Sequence, residues 1–247
     1  MTLTMMVFLI LGGIAGGFIN GLAGMGTALF ALGFFLVVLD PIPAVAMVAL
    51  MSVVSGFQGL WVVRDAMVTH RARLFRFLIP GVIGVPVGTA LLAYLDAQTL
   101  KYAIAGTLIA YGGYFGFRSA LPAFDRSVPR VDAGIGFIGG ILGGIAAMSG
   151  ALPTIWLSLR PWPKSETRAV LQPYNFILLF LTGGLLWTQG GYADLSWTMI
   201  ALVLAASLVA AQVGVQIYRR LSDDRFRRIL ILMTLTLGIG VLISEVF

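Results

Sequence analysis

Apolar positions run along this chain in long blocks rather than at the three-to-four spacing of a helix with one wet face. The blocks cover residues 3–20, 27–39, 43–63, 77–95, 99–117, 133–147, 151–159, 169–188, 195–218 and 229–244. The longer ones predict membrane-spanning helices, because a crossing of the hydrocarbon core takes about 20 apolar residues. Two are too short to cross. Residues 27–39 and 151–159 reach only about 20 and 14 Å as helices, against a core of about 30 Å. Each follows a glycine-rich break, Gly21-Leu-Ala-Gly24-Met-Gly26 and Gly143-Gly144-Ile-Ala-Ala-Met-Ser149-Gly150. Small residues there permit a turn and a close approach of backbone, so both short blocks predict half-helices.

Charge decides how these blocks are threaded. Eight simple crossings would divide the basic loops almost evenly between the two faces. If each broken segment is instead a hairpin returning to its starting side, with the N-terminus outside, 15 of the 16 Lys and Arg residues become cytoplasmic and only Lys101 stays outside. That asymmetry is what the positive-inside rule demands. The chain opens Met1-Thr2-Leu3-Thr4 without a basic n-region or a small-residue cleavage site in the run that follows. No removable signal peptide is expected.

Composition excludes most other classes of protein. The 247 residues are 59% apolar and 11% charged, with a mean hydropathy of +0.99. A soluble domain carries about 25% charged residues. The expected fold class is an all-α integral membrane protein of about eight transmembrane helices, forming a single transmembrane domain over 1–247. The net charge of +6 reads as cytoplasmic loops rather than as a nucleic-acid surface. There is no cysteine and one histidine, His70. Disulfides, thiolate metal sites and iron-sulfur clusters are thereby ruled out, and no catalytic Ser/His or paired Asp constellation lies within a predicted span.

The two breaks are related to each other. At an offset of 123, residues 12–29 align without gaps to 135–152, matching at Gly13/Gly136, Gly16/Gly139, Gly17/Gly140, Gly21/Gly144, Ala23/Ala146, Met25/Met148, Ala28/Ala151 and Leu29/Leu152. At an offset of 126, Gly88/Gly214, Leu95/Leu221 and Gly112/Gly238 match. A tandem duplication follows, with repeat one at 1–117 and repeat two at 132–247. Each copy holds a hairpin plus three crossings, an odd number, so the copies enter the membrane from opposite sides. Inverted repeats carrying broken helices in corresponding positions are the architecture of secondary transporters, with the substrate near the midplane.

A half-helix starting at a break presents unpaired N–H groups and a positive dipole end, both favourable to an anion. The expected substrate-binding residues are Asn20, Gly24, Met25, Gly26, Thr27, Ser52, Gln58, Met148, Ser149, Gly150, Gln172 and Asn175. Neutral donors of this kind suit an oxyanion without the cost of burying an arginine. The acidic residues flank the spans rather than entering them, so the usual carboxylate proton relay is missing. No cofactor is expected. Na⁺ or H⁺ is the candidate coupling ion, Na⁺ sitting on carbonyls of an unwound break. Trp156 is a further candidate for lining the site, whereas the other tryptophans read as an interfacial belt.

With these residues on the page, the glycine-rich first helix running into Gly21-Leu-Ala-Gly24-Met-Gly26 and its second copy Gly140-Ile-Leu-Gly-Gly-Ile-Ala-Ala-Met-Ser-Gly150 resemble the sulfite exporter TauE/SafE family of membrane permeases. So do the Ala-rich helix entries at Ala44 and Ala169. The resemblance spans nearly the whole chain, although Gly26-Thr27-Ala28 and Ser149-Gly150-Ala151 depart from the family's glycine run. It implies a multi-pass transporter of the bacterial inner membrane, moving sulfite, an organosulfonate or a related small organic anion. Both termini would be periplasmic. The partners expected are a small anionic substrate and the lipid bilayer, with no nucleic acid. The rival reading is an anion channel or a uniporter without ion coupling. Oligomeric state is left open by the sequence.

Overall fold

The computed structural model describes residues 2–96, 98, 99 and 127–222, together with positions 102, 106, 109, 113 and 225. The spans expected over 99–117 and 229–244 therefore lie outside the described residues, those isolated positions apart. The described residues form eight α-helices and no strand: α1 (Leu3–Ala23), α2 (Thr27–Phe35), α3 (Pro41–Thr69), α4 (Arg71–Leu92), α5 (Pro129–Ala146), α6 (Ala151–Ser158), α7 (Lys164–Thr188) and α8 (Trp197–Arg220). The Thr2 hydroxyl caps α1 by accepting from the Met5 N–H, and Ser196 caps α8 by accepting from Met199. Five helices, α1, α3, α4, α7 and α8, are long and apolar enough to cross a membrane. The half-helices are present at both breaks. α2 has 9 residues and α6 has 8, about 14 and 12 Å of length.

Two basic segments read as loops are largely helical. α3 runs to Thr69 and α4 begins at Arg71, so the expected loop over 64–76 shrinks to a corner at His70. Likewise α7 begins at Lys164 and carries Arg168 inside the helix, where a loop over 160–168 was expected. Hydropathy ends a span at its first charged residue, whereas backbone hydrogen bonding continues through it. Ion pairs hold these corners. Glu166 in the first turn of α7 pairs with Arg73 of α4 and lies 3.6 Å from His70, and Arg73 stacks on Trp162 at 4.3 Å. Asp132, in the first turn of α5, is held between Arg160 at 3.4 Å and Arg76 at 4.0 Å.

The glycines set how the helices assemble. α1 packs most extensively on α8, α4 on α5, and α3 on α7. On α1, Gly13, Gly17 and Gly21 lie against the backbone of Val203, Ser207 and Ala211 of α8. On α5, Gly136, Gly140 and Gly144 lie against the backbone of Phe77, Gly81 and Val85 of α4. A Cβ at any of these positions would press into a neighbouring carbonyl. In return, Gly214 of α8 meets the Phe18 carbonyl and Gly88 of α4 meets the Ile141 carbonyl. Close backbone approach through small residues is how helices gain contact in lipid, where burial of apolar surface supplies little.

On the other side of the bundle, Tyr192, between α7 and α8, donates its hydroxyl to the Ala46 carbonyl of α3 at 3.2 Å. Burial pushes this phenol up to about 12, so it remains a neutral donor at any physiological pH.

Candidate functional site

Each break is a left-handed turn. α1 ends at Gly24, φ +77°, whose amide bonds the Asn20 carbonyl at 2.8 Å, and α2 is preceded by Gly26, φ +86°. α5 ends at Ala147, φ +54°, with its amide on the Gly143 carbonyl. Gly24 and Ala147 are 123 residues apart, the offset of the aligned stretches. Alanine in this region is strained by about 1–2 kcal/mol, and glycine is not. Ala147→Gly is therefore expected to raise stability by a few tenths to about 1 kcal/mol, the gain being trimmed by glycine's greater unfolded freedom. Thermal unfolding in detergent measures it; a lower midpoint would contradict the strain.

The breaks meet. A Cβ at Gly150 would lie 3.0 Å from Met25 Cβ and 3.6 Å from Asn175 Oδ1. Ser149 donates its hydroxyl to that same Asn175 oxygen at 2.6 Å. On the first break's side, the Asn20 amide donates to the Ser52 carbonyl at 3.1 Å and to the Ser55 hydroxyl at 2.7 Å. Ser52 thus contributes its carbonyl, because its hydroxyl bonds the Val48 carbonyl of its own helix. Gln172 packs on the first break's side too: its Nε2 donates to the Gly56 carbonyl at 3.4 Å, and its side chain fills the space a Cβ at Gly24 would need. Thr27 is buried at the start of α2, with its methyl against Gly16. Met148 is buried in the second break, its amide on the Leu142 carbonyl. Gln58 is half-buried on α3, one residue before Gly59, which faces Gln172.

Ser55 and Arg168, both at this junction, were not among the expected substrate-binding residues. Arg168 is 2% exposed and sits one turn before Gln172 on α7. Its guanidinium donates to the carbonyls of Gly21 at 3.0 Å and Leu22 at 3.3 Å, the last turn of α1, and to Gln172 Oε1 at 3.3 Å. It also stacks on Tyr218 of α8, 4.2 Å from the ring centre. No carboxylate among the described residues pairs with it. The terminal carbonyls and the negative dipole end of α1 offset only part of its charge. The expectation that the junction uses neutral donors alone is thus corrected: a buried cation lies beside the first break. Its spacing to Gln172 and Asn175, four and seven residues on, would have placed it on their helix face.

Trp156 does not line the junction. Its indole N–H donates to Asp132 at 2.7 Å and its ring lies under Arg160 at 4.6 Å, which fixes α6 to the first turn of α5. An outer groove of about 430 Å³ between α3, α7 and α8, lined by Val53, Phe180 and Trp187 among others, is almost wholly apolar and carries no charged side chain. Among the described residues no cluster of His, Asp or Glu could hold a metal ion.

Residues 9–241 match the family described as sulfite exporter TauE/SafE. The chain belongs to that family. Membership makes it a multi-pass membrane transporter, in keeping with its five long apolar helices. No curated protein and no solved structure matches the TauE/SafE chain.

Proposed function

We propose that this TauE/SafE protein is a secondary transporter that carries a small anion, such as sulfite, an organosulfonate or a related organic anion, across the bacterial inner membrane by alternating access. The anion binds where the two breaks meet. The observation carrying this reading is Arg168: a buried guanidinium without a carboxylate among the described residues, hydrogen-bonded at the end of α1 and 3.2 Å from where a Cβ of Gly24 would stand. A charge buried inside a membrane domain is costly unless it is paired or used, and an incoming anion supplies the missing partner. The starts of α2 and α6 add two positive dipole ends at the same junction.

An inverted repeat, with copies at 1–117 and 132–247 and both termini periplasmic, is the frame for this site. Its support is the reciprocity of the glycine contacts. Gly17 on Ser207 and Gly140 on Gly81 are one contact written twice, at offsets of 123 and 126. The same holds for Gly13 with Gly136, for Gly21 with Gly144, and for Gly214 on Phe18 with Gly88 on Ile141. Two copies related by a two-fold axis bring α1 of each against the fourth helix of the other, and both breaks to the axis.

The test is thermal stability of the purified protein in detergent with sulfite, sulfate, thiosulfate, taurine, isethionate, sulfoacetate and acetate, each with and without Na⁺. A true ligand at about 100 times its dissociation constant adds about 2.7 kcal/mol. A selective rise with a sulfur oxyanion or sulfonate is expected, and dependence on Na⁺ would identify the coupling ion. The absence of a rise with every anion would contradict the site.

A further inference from the structure

The junction contains acceptors as well as donors, and some of its buried oxygens make no hydrogen bond among the described residues. Asn20 is 2% exposed; its Nδ2 makes two hydrogen bonds, yet its Oδ1 is buried with no donor among the described residues. Thr27, 1% exposed, has a buried hydroxyl that bonds nothing among the described residues. Both belong to the first break: Thr27 opens α2, and its methyl lies against Gly16, one turn before Asn20 on α1. The Asn20 amide also neighbours Gly56, as does the amide of Gln172, which in turn accepts from Arg168.

The second copy lacks this feature. Gly143 stands at the repeat position of Asn20 and Gly150 at that of Thr27, while Ser149 and Asn175 satisfy each other. Leaving a buried carbonyl oxygen unpaired forfeits its hydration with nothing in return. That cost is recovered if the ligand brings a proton. A bare oxyanion offers only acceptors, which suit Arg168 and would repel Asn20 Oδ1.

We infer that the anion carried by this protein bears a hydrogen-bond donor, a hydroxyl or ammonium group beside its charged end, and that Asn20 Oδ1 and the Thr27 hydroxyl receive it. Arg168 and the helix starts take the charged end. The inference rests on the anion site proposed above and adds the second half of the ligand.

Isethionate and ethanesulfonate test it, since they differ by one hydroxyl. Their affinities for the purified full-length protein are measured by titration calorimetry or thermal shift. Isethionate is expected to bind about tenfold more tightly, the yield of one additional buried hydrogen bond. Asn20→Leu should erase that preference, so that the two ligands bind the variant equally; Thr27→Val, which keeps shape, should reduce it and serves if the Asn20 variant does not fold. Equal affinity for the two ligands in the wild type would mean that the orphaned acceptors serve water, overturning the inference and sparing the anion site. A preference unchanged in the folded variants would remove Asn20 and Thr27 from it. Failure of both ligands to bind would overturn the anion site and this inference together.

Discussion

Arg168→Lys is expected to weaken anion binding by about 30- to 100-fold and to lower stability by about 2–4 kcal/mol. The charge survives the change, but the geometry does not. Arginine's planar fork reaches the Gly21 and Leu22 carbonyls and Gln172 Oε1 at once. A lysine ammonium on a single stem cannot satisfy all three and also stack on Tyr218. Each hydrogen bond to a charged group contributes about 1.5–3 kcal/mol, and the carbonyls released at the end of α1 stay buried. A misplaced charge also leaves the break, so the anion loses both its partner and a fixed α1 terminus. Thermal unfolding with and without a sulfonate that stabilises the wild type separates the two losses. Wild-type affinity in a destabilised Arg168→Lys protein would reduce Arg168 to a helix cap.

Gly17→Val and Gly140→Val are expected to destabilise by about 3 kcal/mol or more each, and by similar amounts. At Gly17 a side chain would enter the Ser207 backbone, and at Gly140 the Gly81 backbone. Backbone cannot rotate aside as a side chain can, so the helix pair must separate, beyond the about 1–3 kcal/mol usual for overpacking. Gly134→Val and Gly184→Val are the controls, because among the described residues nothing lies within 4 Å of a Cβ at either. Their cost should stay within about 1 kcal/mol, the range of helix propensity. Thermal midpoints of the four proteins in one detergent check this. A large loss at Gly17 with none at Gly140 would break the equivalence of the α1/α8 and α4/α5 contacts.

Much of this was legible in the sequence because it is local. A break in an apolar run needs glycine or a strained residue, and both turns fall where the glycine runs stop, at Gly24 and at Ala147. The half-helices followed from block length alone. The glycine positions that meet backbone were legible as well, since glycines that touch backbone cannot be replaced without moving a helix. What stayed hidden is long-range. Arg168 sits where its charge suggested a loop, and its partners lie 146 and 147 residues away in the chain. No local pattern encodes a guanidinium satisfied by the end of another helix. Trp156 fails for the same reason: its partner Asp132 is 24 residues back, across the break. The spans over 99–117 and 229–244 lie outside the described residues.

The central claim is that an anion binds where the two breaks meet, and an engineered cysteine pair reads that place directly. The chain has no cysteine of its own. Met25→Cys with Gly150→Cys would set two Cβ atoms near 3.0 Å apart, close to the roughly 3.5–4.5 Å of a disulfide. Mild oxidation of this protein in membranes should close an intramolecular bond, seen by mass spectrometry of the linked fragments. A saturating sulfonate that stabilises the protein should slow that closure several-fold by occupying the junction. Absence of the bond in folded protein, or an unchanged rate with the sulfonate demonstrably bound, would contradict the account.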